Sequence, residues 1–306
     1  MSNRAESYLL GLIGEGVLPS LTPALHEREA DRLGLRLLYR PIDLMELGLA
    51  PTAIGDLLQA ASRLGFNGVN VTHPCKQLVV PFLDEMSDGA RRLGAVNTVL
   101  IRQGRFIGHN TDYSGFGAAF AAGLPQAPVN RVVQLGAGGA GSAVAYAILG
   151  AGAQSLDLVD VDAARAADRA AELQQLFPDR TVTGRGLDEL ARLVPLADGL
   201  VNCTPMGMKE HPGASFDLEQ LTRRHWVADI VYRPIETELV QFARGRGCRV
   251  LDGGRMAVGQ AVDAFRLFTG AGPDADRMRT HFLDLIAREG SAPGHGAENR
   301  LSKVAS

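Results

Sequence analysis

One segment narrows the possible folds more than any other. Residues 131–150, RVVQLGAGGAGSAVAYAILG, run from a short apolar stretch through Gly136, Ala137, Gly138, Gly139, Ala140 and Gly141 into an alanine-rich helical stretch. Glycines at this spacing between a strand and a helix allow a tight turn. They also let the backbone approach a pyrophosphate and leave the helix N-terminal amides to bind it. A second strand over 155–159 ends at Asp160, about 20 residues further on, where an acidic side chain accepts hydrogen bonds from an adenosine ribose diol. A carboxylate there repels a 2′-phosphate, so the expected cofactor is NAD in preference to NADP. Asp162 competes for that role but fits better as the N-cap of the helix that follows. Arg165 pulls the other way, because it can stack on adenine or pair with a 2′-phosphate. Further strands over 199–202, 227–231 and 249–251 complete a doubly wound α/β pattern.

The rest of the chain reads as a second α/β unit. Strands are expected over 8–13, 37–42 and 68–72, and helices from Thr22-Pro23 (Thr22 as N-cap), over 52–64 and over 78–94. Residues 96–101 and 106–108 form a hairpin. This alternation predicts a mostly parallel sheet. Helices over 256–270 and 277–286 follow the nucleotide-binding pattern, and 290–306 reads as a polar, disordered tail. A length of 306 residues suits about two domains.

Composition excludes several classes of function. The 31 Lys+Arg against 34 Asp+Glu leave no basic excess for nucleic acid or an anionic membrane. No apolar run reaches the ~18 residues of a membrane span, and no leader is read at the start. The three cysteines, Cys75, Cys203 and Cys248, make no disulfide framework and fit a cytoplasmic protein. The histidines have no metal-ligand spacing, and neither a C-x-x-C nor a G-x-S-x-G elbow occurs.

The polar residues of the first unit cluster near expected strand ends, where open α/β sheets bind ligands. They are Ser20 and Thr22; Asn70, Thr72, His73, Cys75 and Lys76; Asn97 and Thr98; and His109, Asn110, Thr111 and Asp112. Neutral donors with one lysine and one aspartate suit a small polyhydroxylated substrate. Hydride transfer from a ring alcohol needs a group that takes up the hydroxyl proton. Lys76 and Asp112 are the natural pair, and a structural ion pair is the alternative reading of the same two residues. His73 and His109 read as structural or rim residues, and Cys75 as a small buried one.

Eight stretches together resemble the shikimate dehydrogenase family, and within it the NAD-dependent quinate/shikimate branch. They are GLIGEGVLPSLTPALH, GFNGVNVTHPCKQ, LGAVNTV, GHNTDYSGFG, QLGAGGAGSAVAYA, NCTPMGM, DIVYRPIETEL and DGGRMAVGQAVDAF, in family order from about residue 10 to residue 285. The resemblance implies a substrate-binding and catalytic domain of residues 1–113 and 257–289. A Rossmann dinucleotide-binding domain of residues 114–256 lies between its two parts. It makes Lys76 and Asp112 the catalytic pair, Ser20 and Thr22 carboxylate ligands, and Thr72, Asn97 and Gln260 partners of ring hydroxyls, with Tyr232 near the carboxylate. Thr204, Pro205 and Met206 line the cofactor path; Val231, Gly254 and Met256 lie near the nicotinamide.

Two departures from the shikimate-only pattern point to the quinate/shikimate branch. Thr22 replaces a second serine, and V-D-V-D at 159–162 replaces the N-R-T-type sequence that holds a 2′-phosphate. The implied reaction is NAD-dependent, reversible oxidation of shikimate, quinate or both to the 3-dehydro acid, by a monomer or homodimer with no partner beyond its small-molecule ligands. The rivals are an aminoshikimate-type dehydrogenase and a non-catalytic ligand sensor on the same fold.

Overall fold

A computed structural model describes residues 7–291. Its strands are β1 (Ser7–Gly14), β2 (Arg36–Asp43), β3 (Gly68–Val71), β4 (Glu85–Met86), β5 (Thr98–Arg102), β6 (Arg105–His109), β7 (Arg131–Leu135), β8 (Ser155–Val159), β9 (Thr181–Arg185), β10 (Gly199–Asn202), β11 (Trp226–Asp229) and β12 (Arg249–Leu251). Its helices are α1 (Thr22–Arg32), α2 (Ile54–Arg63), α3 (Cys75–Leu78), α4 (Asp88–Leu93), α5 (Thr111–Gly123), α6 (Gly139–Gly150), α7 (Ala163–Leu176), α8 (Leu190–Leu193), α9 (Glu238–Gly245), α10 (Gly253–Thr269) and α11 (Ala275–Ser291).

The strands form two six-stranded sheets, matching the expected α/β fold with two domains. The first runs β2-β1-β3-β5-β6-β4. Its pairings are parallel except around the β5–β6 hairpin, where β3–β5 and β5–β6 are antiparallel. The second runs β12-β11-β10-β7-β8-β9 with every pairing parallel. Read from β9, this is the doubly wound order, and its direction reverses between β7 and β10. The glycine turn after β7 and the loop after β10 therefore flank the crevice where such sheets bind ligands. Gly136 has φ of +98°. A Cβ on Gly141 would lie 2.2 Å from the Gly136 carbonyl oxygen, so glycine lets α6 pack directly on the turn.

Apolar faces of α5, α6 and α7 close one side of the second sheet, with Phe116, Ile148, Leu173 and the fully buried Trp226 in one apolar cluster. Leu190, Leu193 and Leu239 cover the other side. In the first sheet Ile54 and Leu58 of α2 pack on Ile13, Val69 and Val99, and Phe268 of α10 packs on Leu10 and Leu100. Helices α5 and α10 join the sheets and cross with their backbones touching. A Cβ on Gly115 would lie 2.5 Å from the Gln260 amide nitrogen, and one on Gly259 would lie 2.6 Å from the Gly115 carbonyl oxygen. The boundaries expected at 113/114 and 256/257 fall inside these two continuous helices.

Several local expectations need correction. The helix expected over 78–94 is broken into α3, a short 3₁₀ turn at Val80–Phe82, β4 and α4. Pro81 lacks the amide that would continue the helix. Ser87 then caps α4 afresh, its Oγ accepting from the Ala90 N–H at 3.4 Å, and Gly94 ends it at φ +59°. Thr22 is the first residue of α1 rather than its N-cap, because Leu21 already has helical dihedrals. Strand β9 was not anticipated: it is a polar edge strand with no fully buried residue. Helix α11 runs to Ser291, and the remainder of the expected 290–306 tail lies outside the described residues.

Candidate active site

The eight residues expected to bind or transform a substrate line a single cleft of about 1170 Å³. Ser20 and Thr22 stand at the start of α1, and the Ser20 Oγ accepts from the Thr22 N–H at 3.2 Å. The loop before them is held by the Asp43 carboxylate at the end of β2. It accepts N–H bonds from Gly16 at 3.0 Å, Leu18 at 3.3 Å and Met45 at 3.1 Å. Burial alone would raise the Asp43 pKa, but these amides together hold it below the usual carboxylate range. Thr72 follows β3, Lys76 lies on α3, Asn97 precedes β5, and α10 contributes Gln260. Tyr232 follows β11 and enters from the second sheet.

Asp112 sits in the first turn of α5, where the helix dipole favours a carboxylate. Asn110 caps that turn, its Oδ1 accepting from the N–H groups of Asp112 at 3.1 Å and Tyr113 at 3.4 Å. Lys76 Nζ donates to Asp112 Oδ2 at 2.6 Å. Asn97 Nδ2 donates to Asp112 Oδ1 at 2.9 Å. Both carboxylate oxygens are thus held by named donors. The Lys76 side chain is 22% exposed and that of Asp112 only 5%, so the lysine is the more accessible member of the pair.

Behind this pair Asn70, Thr98 and Thr111 continue a buried polar network. Asn70 and Thr111 also line the cleft. Both stand in the polar segments singled out from sequence, yet neither had been assigned a role. The loop 207–213 lines the far wall together with Arg233, whose Nη2 donates to the Pro19 carbonyl at 2.7 Å. Beyond the quoted stretch NCTPMGM, its signal is its glycines, Gly207 at φ +100° and Gly213 at +98°. His26 is fully buried on the cleft floor with Nδ1 2.9 Å from the Thr22 carbonyl. Burial lowers its pKa to about 4 despite that bond, so the ring is neutral and Nδ1–H is the donor. Cys75 is wholly buried and burial pushes its thiol pKa up. His73 is exposed and His109 half-buried; neither lines the cleft.

The expected cofactor residues fall outside that lining and gather mainly around the second sheet's crevice. Gly138 and Gly139 are exposed, with nothing within 4 Å of a Cβ built on either. No side chain caps the N-terminus of α6. That open ground before free amides fits a pyrophosphate. Ala140 is half-buried beside them, while Gly136 and Ala137 are buried. Asp160 is buried and fully engaged: Oδ2 accepts from the Ala137 N–H at 2.8 Å and Oδ1 from the Asp162 N–H at 3.0 Å. Arg165 donates to both oxygens, at 3.3 and 2.5 Å. Burial works to raise the Asp160 pKa, but Arg165 and the two amides outweigh it and hold it low. Asp162 caps α7, accepting from the Arg165 N–H at 3.1 Å.

Thr204 is bonded within its own loop, its hydroxyl donating to Asn202 Oδ1 at 2.6 Å. Met206 offers its carbonyl to Asn202 Nδ2 at 3.1 Å, and Pro205 is exposed. Val231 and Gly254 are buried at the crevice end of β11 and the start of α10. Met256 packs in the apolar cluster with Phe116 and Trp226 and is 5% exposed. Among the described residues no group of three His, Cys, Asp or Glu side chains is placed to hold a metal ion. No helix there is long and apolar enough to cross a membrane.

The sheet order, the glycine turn and the cleft at the junction define a two-domain α/β protein with a Rossmann-type cofactor domain. A family model described as the shikimate dehydrogenase substrate binding domain matches residues 12–99. A shikimate dehydrogenase (NADP(+)) of Arthrobacter sp. (strain FB24) is 70% identical over 289 residues, covering 94% of this chain and 99% of the relative. A quinate/shikimate dehydrogenase (NAD(+)) of Corynebacterium glutamicum (strain R) is 52% identical over 281 residues, covering 92% and 99%. The solved structure of quinate dehydrogenase from Corynebacterium glutamicum in complex with NAD superposes with a TM-score of 0.88 at 51% identity, covering 91% of this chain and 99% of that one. The chain belongs to the shikimate dehydrogenase family.

Proposed function

We propose that this protein catalyses the reversible oxidation of a ring hydroxyl of shikimate, quinate or both to the 3-oxo acid. The observation that carries the reading is the Lys76–Asp112 pair at 2.6 Å, in a cleft also lined by Ser20, Thr22, Thr72, Asn97, Tyr232 and Gln260. Ser20, Thr22 and Tyr232 supply hydroxyl donors for a carboxylate; Thr72, Asn97 and Gln260 serve ring hydroxyls. Lys76 Nζ exchanges the proton of the reacting hydroxyl, giving it to the carbonyl oxygen in one direction and taking it back in the other. Asp112, anchored by Asn97, holds that nitrogen in place.

The turn residues 136–140, with Asp160 and Arg165, would hold a nicotinamide dinucleotide, which when bound supplies the hydride acceptor and donor. Thr204, Pro205, Met206, Val231 and Gly254 would border it, and Met256 would support that wall from the core. NAD is the preferred form in this reading. The buried, ionised Asp160 repels a 2′-phosphate, and Arg165, a cation that could attract one, is paired with Asp160. The relatives at 70% and 52% identity carry different cofactors in their names, so the choice is made testable.

Initial rates with shikimate or quinate, each with NAD or NADP, test the proposal through the absorbance of the reduced cofactor. Turnover of either acid with NAD and little with NADP is expected. Turnover only with NADP overturns the cofactor reading. Silence in all four combinations from folded protein overturns the activity and turns attention to the amino analogue of shikimate.

A further inference from the structure

The hydrogen bonds behind Asp112 form a chain with a single direction, and it starts far from the reacting pair, at Tyr39. Two backbone groups fix that direction. The Thr111 N–H donates to Asn97 Oδ1 at 2.7 Å, so the other amide atom of Asn97, Nδ2, is the one that meets Asp112 Oδ1. The Asn97 carbonyl can only accept, and it does so from Asn70 Nδ2 at 3.1 Å. Asn70 Oδ1 therefore faces the Tyr39 hydroxyl, which must donate, at 2.5 Å. Asn70 Nδ2 also donates to Thr98 Oγ1 at 2.9 Å, and the Thr98 hydroxyl passes its own hydrogen to Asn97 Oδ1 at 3.0 Å. From Tyr39 through Asn70, Thr98 and Asn97, each link donates onward to the Asp112 carboxylate, with side branches from Asn70 to the Asn97 carbonyl and from Asn97 Nδ2 to Thr111 Oγ1 at 3.0 Å.

All five side chains are at least nine-tenths buried. In such a low-dielectric setting aligned hydrogen bonds polarise one another, and an unpaired member is costly. The Tyr39 ring is itself clamped, 5.0 Å from the ring of His26. We infer that Tyr39 is a positioning residue: its hydroxyl orients the Asn70 and Asn97 amides and thereby the carboxylate that holds Lys76. The inference rests on the proposed role of the Lys76–Asp112 pair. It assigns no contact with substrate to Tyr39.

The experiment compares the full-length wild type with Tyr39→Phe, Thr98→Val and Thr98→Ser, using steady-state kinetics and thermal midpoints. Tyr39→Phe keeps the ring and removes the head of the chain; Thr98→Val cuts it in the middle. Each is expected to lower kcat about three- to tenfold with KM for the cofactor unchanged, while Thr98→Ser restores turnover. The double variant Tyr39→Phe/Thr98→Val should lose no more than the worse single variant, because both act through one chain. Wild-type kcat in folded Tyr39→Phe and Thr98→Val overturns the inference. So does a Thr98→Ser variant as slow as Thr98→Val, or losses that multiply in the double variant. A wild type without turnover removes the activity reading and this inference together, whereas an active wild type with insensitive variants removes only the inference.

Discussion

The contact between α5 and α10 yields a sharp prediction for Gly115→Ala. The added methyl would lie 2.5 Å from the Gln260 nitrogen, 2.8 Å from the Gly259 carbonyl carbon and 3.0 Å from the Gln260 Cα. Ordinary contacts between such atoms are about 3.5–4.0 Å, so the helices must part by about 1 Å. The obstacle is backbone and cannot rotate away. Overpacking of this kind costs about 1–3 kcal/mol, against a helix-propensity gain of about 0.5–1 kcal/mol for glycine to alanine. The net loss of about 1–2 kcal/mol should lower Tm by about 2–3 °C for a chain of this length.

The displaced residue, Gln260, lines the cleft, and a 1 Å misplacement near the chemistry can cost up to about 10²-fold in rate. Differential scanning fluorimetry and initial rates read the two effects. Gly117→Ala is the control: it lies on the same helix, but nothing lies within 4 Å of the added Cβ, so it should raise Tm slightly and leave kcat/KM alone. Gly115→Ala behaving like Gly117→Ala on both measures would refute the reasoning.

Other perturbations separate the roles of single groups. Lys76→Ala should cut kcat on the order of 10²-fold or more, as loss of general acid–base catalysis predicts; near-normal turnover would remove Lys76 from the chemistry. Asp160→Ala should raise KM for the cofactor far more than KM for the acid, and equal changes in both would argue against a ribose contact. The buried, neutral His26 makes stability depend on pH. Its pKa falls from 6.5 when unfolded to about 4 when folded, so the unfolded state binds more protons in that window. Its contribution is fully present above pH 6.5 and is lost as pH falls through 6.5 toward 4, to the extent of about 3 kcal/mol. Denaturant titrations of wild type and His26→Phe across that window should show a shallower acid loss in the variant; parallel curves would contradict the assignment.

Much of the second sheet was legible because strongly periodic apolar strands and glycine turns leave clear marks. The order of β7, β8 and β10, the capping of α7 by Asp162 and the crevice at the glycine turn all follow from local chemistry. Strand β9 left no such mark: Thr181–Arg185 lies at an edge with partly exposed residues, and its place comes from pairing with β8. Thr22 reads as an N-cap by residue type, but Leu21 already has helical dihedrals, so Thr22 is the first helical residue. Asp160 shows a different limit. Its position at the strand end was plain, but of its four bonds to Ala137, Asp162 and Arg165 the one from Ala137 arises only when the turn after β7 meets the end of β8. The cleft residues were found as types in polar clusters. The order of donors among Tyr39, Asn70, Thr98 and Asn97 is a property of packing between strands, which no spacing along the chain encodes.

The Asp43 carboxylate has a consequence for how ligands arrive. By gathering the amides of Gly16 and Leu18, it completes the loop ahead of Ser20 during folding. An incoming acid therefore meets a finished surface, and the conformational entropy of that loop is not part of the cost of association. Discrimination between two similar acids is then expressed mainly in how fast each one leaves.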